Sequence, residues 1–288
     1  MKWETEAEWQ AFQVESHVRI SALFSLFVRL CPPGYHFHGE THDFWECLYV
    51  LRGDVCVSGD DRVYQLTEGD MIFHKPLEMH KFYVEHENGA DLLIFSFSLD
   101  SAHRSFFAEK AFTLSEEQKG FLRALISYIN RNMAETKVPE QVVLPKRYLY
   151  PSCMNPLYLH TIVMYIERLF LSLMEKADTT ELFDSVESRL FSHAVNCMKK
   201  HIDAGLSVAE LAGMCNISVS GLKRIFDKYA GISVHKYFLK LKLQKAVEFL
   251  LGGKTVSETA VALGFSSQAY FTKAFRRELG INPSEIKK

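Results

Sequence analysis

SVAELAGMCNIS at Ser207–Ser218 and TVSETAVALGFS at Thr255–Ser266 are two versions of one pattern. Val208 falls on Val256, Glu210 on Glu258, Ala212 on Ala260 and Cys215 on Leu263, at an offset of 48. After one inserted residue the match resumes at 49, with Leu222 on Phe271, Arg224 on Lys273, Phe226 on Phe275, Lys228 on Arg277 and Gly231 on Gly280. Self-similarity of this kind marks one supersecondary unit used twice.

Each version reads as two short helices with a tight turn. Ser207 is placed to cap a helix whose apolar positions Val208, Leu211, Ala212 and Cys215 follow the helical period, and Glu210 stands at the N3 place of a capping box. Asn216 in the first copy and Gly264 in the second follow that helix, and these residue types best accept a left-handed backbone. Ser218, and either Ser266 or Ser267, then cap a second helix with inward residues Leu222, Ile225, Phe226 and Tyr229, or Phe271, Ala274, Phe275 and Leu279. Helix, short turn, helix is the helix-turn-helix pattern. Between the copies, Ser233–Leu251 reads as one helix closed by Gly252 and Gly253. Such a rod is roughly 27 Å long, against roughly 34 Å between successive major-groove segments on one face of DNA.

Charge agrees with a nucleic-acid partner for this half. From Arg189 to Lys288 there are sixteen Lys and Arg against seven Asp and Glu, a net +9, while residues 1–188 carry seventeen against twenty-eight, a net −11. The outward faces of the second helices show Val219, Ser220, Lys223, Arg224 and Asp227 in one copy, and Gln268, Ala269, Thr272, Lys273 and Arg276 in the other. Arg and Lys suit guanine edges and Gln suits adenine, while flanking cations hold phosphates.

On LKRIFDKYAGIS, KYFLKLKLQKA and GFSSQAYFTKAFRRELGINPSE, residues 188–288 resemble the AraC/XylS family of transcription regulators. Lys242 stands where that family's linker helix usually has Arg, Thr259 replaces Ile and Ile286 replaces an aromatic residue, departures that bear on packing or a phosphate contact. The resemblance implies base-facing roles for Ser220, Lys223 and Arg224 and for Gln268, Thr272 and Lys273, with Ser218, Ser267 and Arg276 completing the DNA surface.

The remaining chain has a different texture. A hydrophobic share of 48% and a charged share of 24% exclude a disordered class, and 288 residues suggest more than one domain. The start, MKWETEAEWQ, lacks a signal-peptide core, and no run reads as a membrane span. Cys31, Cys47, Cys56, Cys153, Cys197 and Cys215 form no C-x-x-C pair and read as reduced, buried thiols. From Ser21 to Phe97, short β-prone runs alternate with turns such as Pro32-Pro33-Gly34, Arg52-Gly53-Asp54 and Glu68-Gly69-Asp70, predicting antiparallel strands in a small barrel. HDFWECLYVLRG and YQLTEGDMIFHKPLEMH resemble the cupin-like sensor domains that precede this DNA module in many family members.

Histidines cluster in that barrel: His36, His38, His42, His74 and His80, with Glu40 and Glu46. In a strand beginning near Glu40, residues 40, 42, 44 and 46 share one face, so His42 and Glu46 point inward and meet His80. His42, Glu46 and His80 are a candidate metal set, although the enzymatic H-x-H begins here with Glu40, and His36 and His38 lie beyond Gly39. A pocket for an organic effector, lined by His38, His42, Phe44, Glu46 and His80, and a packed core are the other readings. Trp45 and Tyr49 fall on the opposite face and pack on a neighbouring element.

The expected fold class is α+β and multidomain: a cupin-like β-barrel with helices over 1–105, a helical connector and dimerisation region over 106–187, and an all-α domain with two helix-turn-helix units and a linker helix over 188–288. Ser115–Asn130 and Leu157–Met174 are amphipathic, and the apolar stripe of the latter is expected to pair with a second subunit, packing on its own barrel being the alternative. The partners implied are double-stranded promoter DNA, a small-molecule effector such as a sugar or related metabolite, a second copy of the chain and RNA polymerase, in the cytoplasm, with no membrane, cofactor or catalysis required. A metal-dependent cupin enzyme with a DNA-binding tail, and a barrel that only assembles, are the competing readings.

Overall fold

The structure is a computed structural model and describes residues 12–85, 87–108, 110–132, 148–149 and 155–286. The N-terminal MKWETEAEWQ and Cys153 lie outside the described residues. In the first part, strands β1 (Arg19–Cys31), β2 (Trp45–Arg52), β3 (Asp54–Gly59), β4 (Arg62–Thr67), β5 (Asp70–His74), β6 (His80–Tyr83) and β7 (Ala90–Asp100) lead to helix α1 (Arg104–Phe107) and strand β8 (Ala111–Thr113). Helix α2 (Glu116–Asn132), strand β9 (Tyr148–Leu149), helix α3 (Pro156–Glu175) and strand β10 (Asp178–Thr180) follow.

The strands form two antiparallel sheets: a large one in the order β10-β8-β5-β2-β7-β1-β9 and a small one in the order β4-β3-β6. Alternation along β2 decides the layers. Trp45, Cys47 and Tyr49 join Phe73, Phe95, Phe97 and helix α3 in one core, whereas Leu48 and Val50 face Val55, Val57, Leu66 and Phe82 of the small sheet in a second. Trp45 and Tyr49 thus pack as the alternation predicts. Two very short strands from the expected helical connector, β8 and β10, extend the large sheet beside β5.

Helix α3 begins with Asn155, whose side chain accepts from the Leu157 N–H, and Pro156 stands where no amide partner is needed. Its stripe of Ile162, Ile166, Leu169, Phe170 and Leu173 is fully buried against the large sheet of its own chain. The pairing expected of that stripe is therefore replaced by packing on the sheet. Truncating Phe170 to Ala would cost about 3–5 kcal/mol. By length and mean hydropathy, 1.3, α3 also passes as a membrane span, which the sequence reading did not register; here it serves as a core helix.

The remaining helices are α4 (Val186–Lys200), α5 (Val208–Met214), α6 (Val219–Ala230), α7 (Val234–Leu251), α8 (Val256–Ala262) and α9 (Gln268–Leu279). The two copies match in length, 7 and 12 residues, and both capping boxes, Ser207 with Glu210 and Thr255 with Glu258, are formed. The extra residue of the second copy falls in its turn, where Ser267, not Ser266, is the cap. Asn216 and Gly264 take the left-handed backbone, with φ of 54° and 63°. Helix α7 is continuous for 18 residues. Its Lys242 is buried, and Nζ donates to the carbonyls of Ala204 at 2.9 Å and Leu263 at 2.8 Å, tying the approach to the first unit to the turn of the second. Lys242 thus makes an internal tie and not a phosphate contact. Ile286 packs on the core of the second unit, and Thr259 is fully buried with its hydroxyl unpartnered among the described residues.

Candidate DNA interface and effector site

Helices α6 and α9 each bury one stripe and expose the opposite one. Leu222, Ile225, Phe226 and Tyr229 are buried while Ser220, Lys223, Arg224 and Asp227 are exposed; Phe271, Ala274 and Phe275 are buried while Gln268, Lys273 and Arg276 are exposed and Thr272 is half-buried. Ser218 and Ser267 sit at the exposed N-terminal ends, where their hydroxyls accept from the amides of Gly221 and Tyr270, each at 3.1 Å. On α9, Gln268, Thr272, Lys273 and Arg276 line one open concavity with Arg277 and Asn282. On α6, Arg224 is engaged: its guanidinium lies 3.1 Å from Glu187 at the start of α4, which also holds Lys228 at 3.1 Å.

The first helix-turn-helix unit is docked on the small sheet. The outward residues Cys56, Val63, Met79 and Tyr83 share a core with Phe191, Phe226, Tyr229 and Tyr237 of the helical part. Backbone acceptors and side chains register the contact: Ser58 Oγ donates to the Tyr229 carbonyl, Lys81 Nζ to the Asp227 carbonyl at 2.5 Å, and the Tyr237 hydroxyl to the Asp60 carbonyl at 2.7 Å. Gly231 ends α6 with φ +68°, and a Cβ there would collide with the His38 carbonyl; a Cβ on Gly39 would lie 3.1 Å from the Ala230 carbonyl. The loop before β2 is thus pressed on the C-terminus of α6. Beside this contact a cleft of about 560 Å³ is bordered by Lys75, Leu77, Lys199 and Gln244.

The polar cluster lies between the two sheets, where the inner face of β6 meets β2 and the loop before it. Glu40, His42, Glu46 and His80 each offer a ligand atom, all within 4.8 Å of one another. His80 Nε2 lies 3.4 Å from Glu46 and 3.7 Å from Glu40, and His42 Nε2 lies 3.8 Å from Glu46. Residues 40–44 precede β2 as a loop, so the shared face arises from a turn and a backbone bridge between Glu40 and His80. Phe44 stacks on the His42 ring at 4.0 Å. His38 is exposed and contributes its carbonyl to the α6 contact, not its ring to the cluster.

Burial opposes charge on His80, but Glu40 and Glu46 outweigh it and push its pKa up to about 10. Burial, reinforced by the His80 charge, lowers both His42 and His74, the latter strongly. Burial raises the Glu46 carboxyl, yet the imidazoles hold it lower overall, and the facing His80 lowers Glu40. At neutral pH the cluster therefore has two carboxylates, a charged His80 and neutral His42 and His74. Glu40 and His74 stood in the cluster read from the sequence but outside its candidate site, and Glu78 and Ser96 were not singled out. The Glu40-x-His42 spacing was the available signal for Glu40; the others became neighbours only through sheet pairing.

Residues 25–142 match the model of the AraC-like ligand binding domain, and residues 211–288 match that of a helix-turn-helix domain. The chain belongs to the AraC/XylS family of transcription regulators. The uncharacterized HTH-type transcriptional regulator YfiF of Bacillus subtilis is 24% identical over 251 residues, 84% of this chain and 76% of that protein. The probable transcriptional regulator LumQ of Photobacterium leiognathi is 34% identical over 90 residues, 31% of this chain and 36% of that protein. Among solved structures, ToxT from Vibrio cholerae O395 covers 91% of this chain and 96% of its own at 12% identity and a TM-score of 0.37. This AraC/XylS regulator thus joins a ligand-binding N-terminal domain to a DNA-binding helix-turn-helix domain, and its docked first unit gives the two a shared surface.

Proposed function

We propose that this regulator reads promoter DNA by placing α6 and α9 in successive major grooves, and that an effector of the N-terminal domain acts by changing how α6 is held on the small sheet. The observation that carries the reading is the sidedness of β6, which turns His80 toward the polar cluster and Lys81 toward α6. Ser220, Lys223 and Arg224, with Gln268, Thr272 and Lys273, take the base edges, while Ser218, Ser267 and Arg276 position the helices on phosphates. The parts divide as a sensor over 1–105, a connector over 106–187 whose short strands complete the sensor's sheet, and the DNA-binding part over 188–288. Two copies pair through the outer side of the connector, where Leu157 and Met164 are 73% and 58% exposed. The role is regulatory rather than catalytic, exercised in the cytoplasm with RNA polymerase as a further contact.

Selection of bound sequences from random duplex by the full chain tests the reading. A bipartite motif that degenerates in one half for Arg224→Ala and in the other for Lys273→Ala is expected. An unchanged motif in both variants would overturn the assignment of these faces.

A further inference from the structure

We infer that Glu40, His42, Glu46 and His80 form a binding site for one divalent first-row transition-metal ion, and that its occupancy is the signal passed to α6. The inference rests on the proposed control of α6 by the N-terminal domain, and deepens it by naming the ligand class.

The half-buried His42 and the buried His80 are wired as metal ligands are. His42 Nδ1 faces the Phe44 carbonyl at 2.9 Å and His80 Nδ1 the Glu78 carbonyl at 3.1 Å. A carbonyl only accepts, so each Nδ1 carries a proton and each Nε2 faces inward, bare on neutral His42 and on His80 once an incoming ion displaces its second proton. These two Nε2 atoms are buried and have no hydrogen-bond partner among the described residues. His80 is only 2% exposed, so water does not satisfy it from outside. Glu46 is held by a second layer: its Oε2 accepts from Ser96 Oγ at 3.1 Å, and Ser96 is in turn bonded to Ser25 at 2.9 Å. Glu40, with its side chain 47% exposed, lies on the open side and supplies the way in.

The spacing selects the ligand. Donor atoms within 4.8 Å of one another enclose a single ion rather than an organic molecule. Around a metal at about 2.0–2.2 Å the donors draw in toward separations of roughly 3.5 Å, a contraction the exposed Glu40 can make. Two imidazoles and two carboxylates without a thiolate favour Mn, Fe, Co, Ni or Zn as divalent ions, over Ca or Mg, which prefer oxygen alone, and over soft Cu(I). The competing arrangement is a charged His80 clasped by Glu40 and Glu46 and stacked on His74 at 4.3 Å, with no ion.

The chain neighbours of these residues touch the DNA module. The Glu40 amide donates to the His80 carbonyl at 2.9 Å and the His80 amide to the Glu40 carbonyl at 3.1 Å. One residue before Glu40, Gly39 rests on the Ala230 carbonyl; one residue after His80, Lys81 donates to Asp227. Drawing Glu40 and His80 onto an ion therefore shifts the two segments that grip the end of α6.

Titration of the chelator-treated full chain with Co²⁺, followed by visible absorption and calorimetry, tests the site. The expected result is one ion per chain with an inner-shell spectrum, displaced by Zn²⁺, lost in His42→Ala and weakened about 10- to 100-fold in Ser96→Ala. The exposed Glu40→Gln variant guards against misfolding and is expected to weaken binding with an unchanged melting profile. Absence of stoichiometric binding, or wild-type affinity retained in Glu40→Gln and His42→Ala, would overturn the site. DNA affinity with and without Co²⁺ tests the signal: a change in the wild type that disappears in Glu40→Gln supports it, and the same affinity in both states overturns it. Sequence-selective DNA binding in chelator separates failure of this inference from failure of the proposed function.

Discussion

The two helix-turn-helix units are built to one plan and held in opposite ways. Both have a boxed first helix of 7 residues, a left-handed turn and a 12-residue second helix ended by a left-handed glycine, Gly231 or Gly280. Gly231 is walled in by the sensor's His38 carbonyl, whereas a Cβ on Gly280 meets nothing within 4 Å. Arg224 on α6 is paired with Glu187, while Lys273 on α9 borders an open concavity. On the proposed reading, the second unit is a reading head that stands free and the first is one held against the partner domain.

The largest test addresses what keeps the units together. Replacing Lys242 by Met removes a buried ammonium from two carbonyls, and a loss of about 1.5–3 kcal/mol in denaturant unfolding is expected. If Lys242→Met is neutral, the units are not coupled through this tie. Next comes the matched pair Gly231→Ala and Gly280→Ala. Both place a side chain at positive φ, costing about 1 kcal/mol or more, but only the first also drives a methyl into His38. Gly231→Ala should melt lower than Gly280→Ala; equal melting would erase the claimed difference.

DNA affinity sharpens the comparison. Lys273→Ala should weaken binding by about 1–3 kcal/mol if it contacts a base. Arg224→Ala should cost less, because the wild-type side chain must first leave Glu187, and Glu187→Gln should raise affinity by at most about 1 kcal/mol. Fluorescence anisotropy on one operator would order the three variants.

The smallest effect is one the copies share. Bonds from Ser207 and Thr255 hold the Glu210 and Glu258 carboxyls below their ordinary 4.5. Stability from such groups is complete above 4.5 and is lost as pH falls through the depressed folded values. Helicity of both units should therefore erode in acid, and the Glu210→Gln, Glu258→Gln double variant should lose that dependence.

What was legible in the sequence was local. Ser207, Glu210, Asn216 and Ser218 announce caps and turn within a dozen residues, and alternation along Trp45–Val50 separates the two faces of β2. The interface was not legible, since Lys81 and Asp227 are 146 positions apart and Ser58 and Tyr229 are 171 apart. The stripe on α3 was visible, but an apolar stripe does not say whether it meets its own sheet or another chain. Strands of 3 residues such as β8 and β10 are too short for a periodicity to register. Glu40 was set aside because a histidine was sought at its place, although a carboxylate offers an equally serviceable oxygen.

Helix α7 has a consequence for how such a regulator can diversify. Inserting or deleting one residue in an unbroken helix turns everything beyond it by about 100° and moves it about 1.5 Å. Because Lys242 is fastened to both flanking segments, that rotation cannot be absorbed by slack. On the proposed reading, substitutions on α6 and α9 would change the letters recognised, while the fastened rod would keep the distance between the two words fixed.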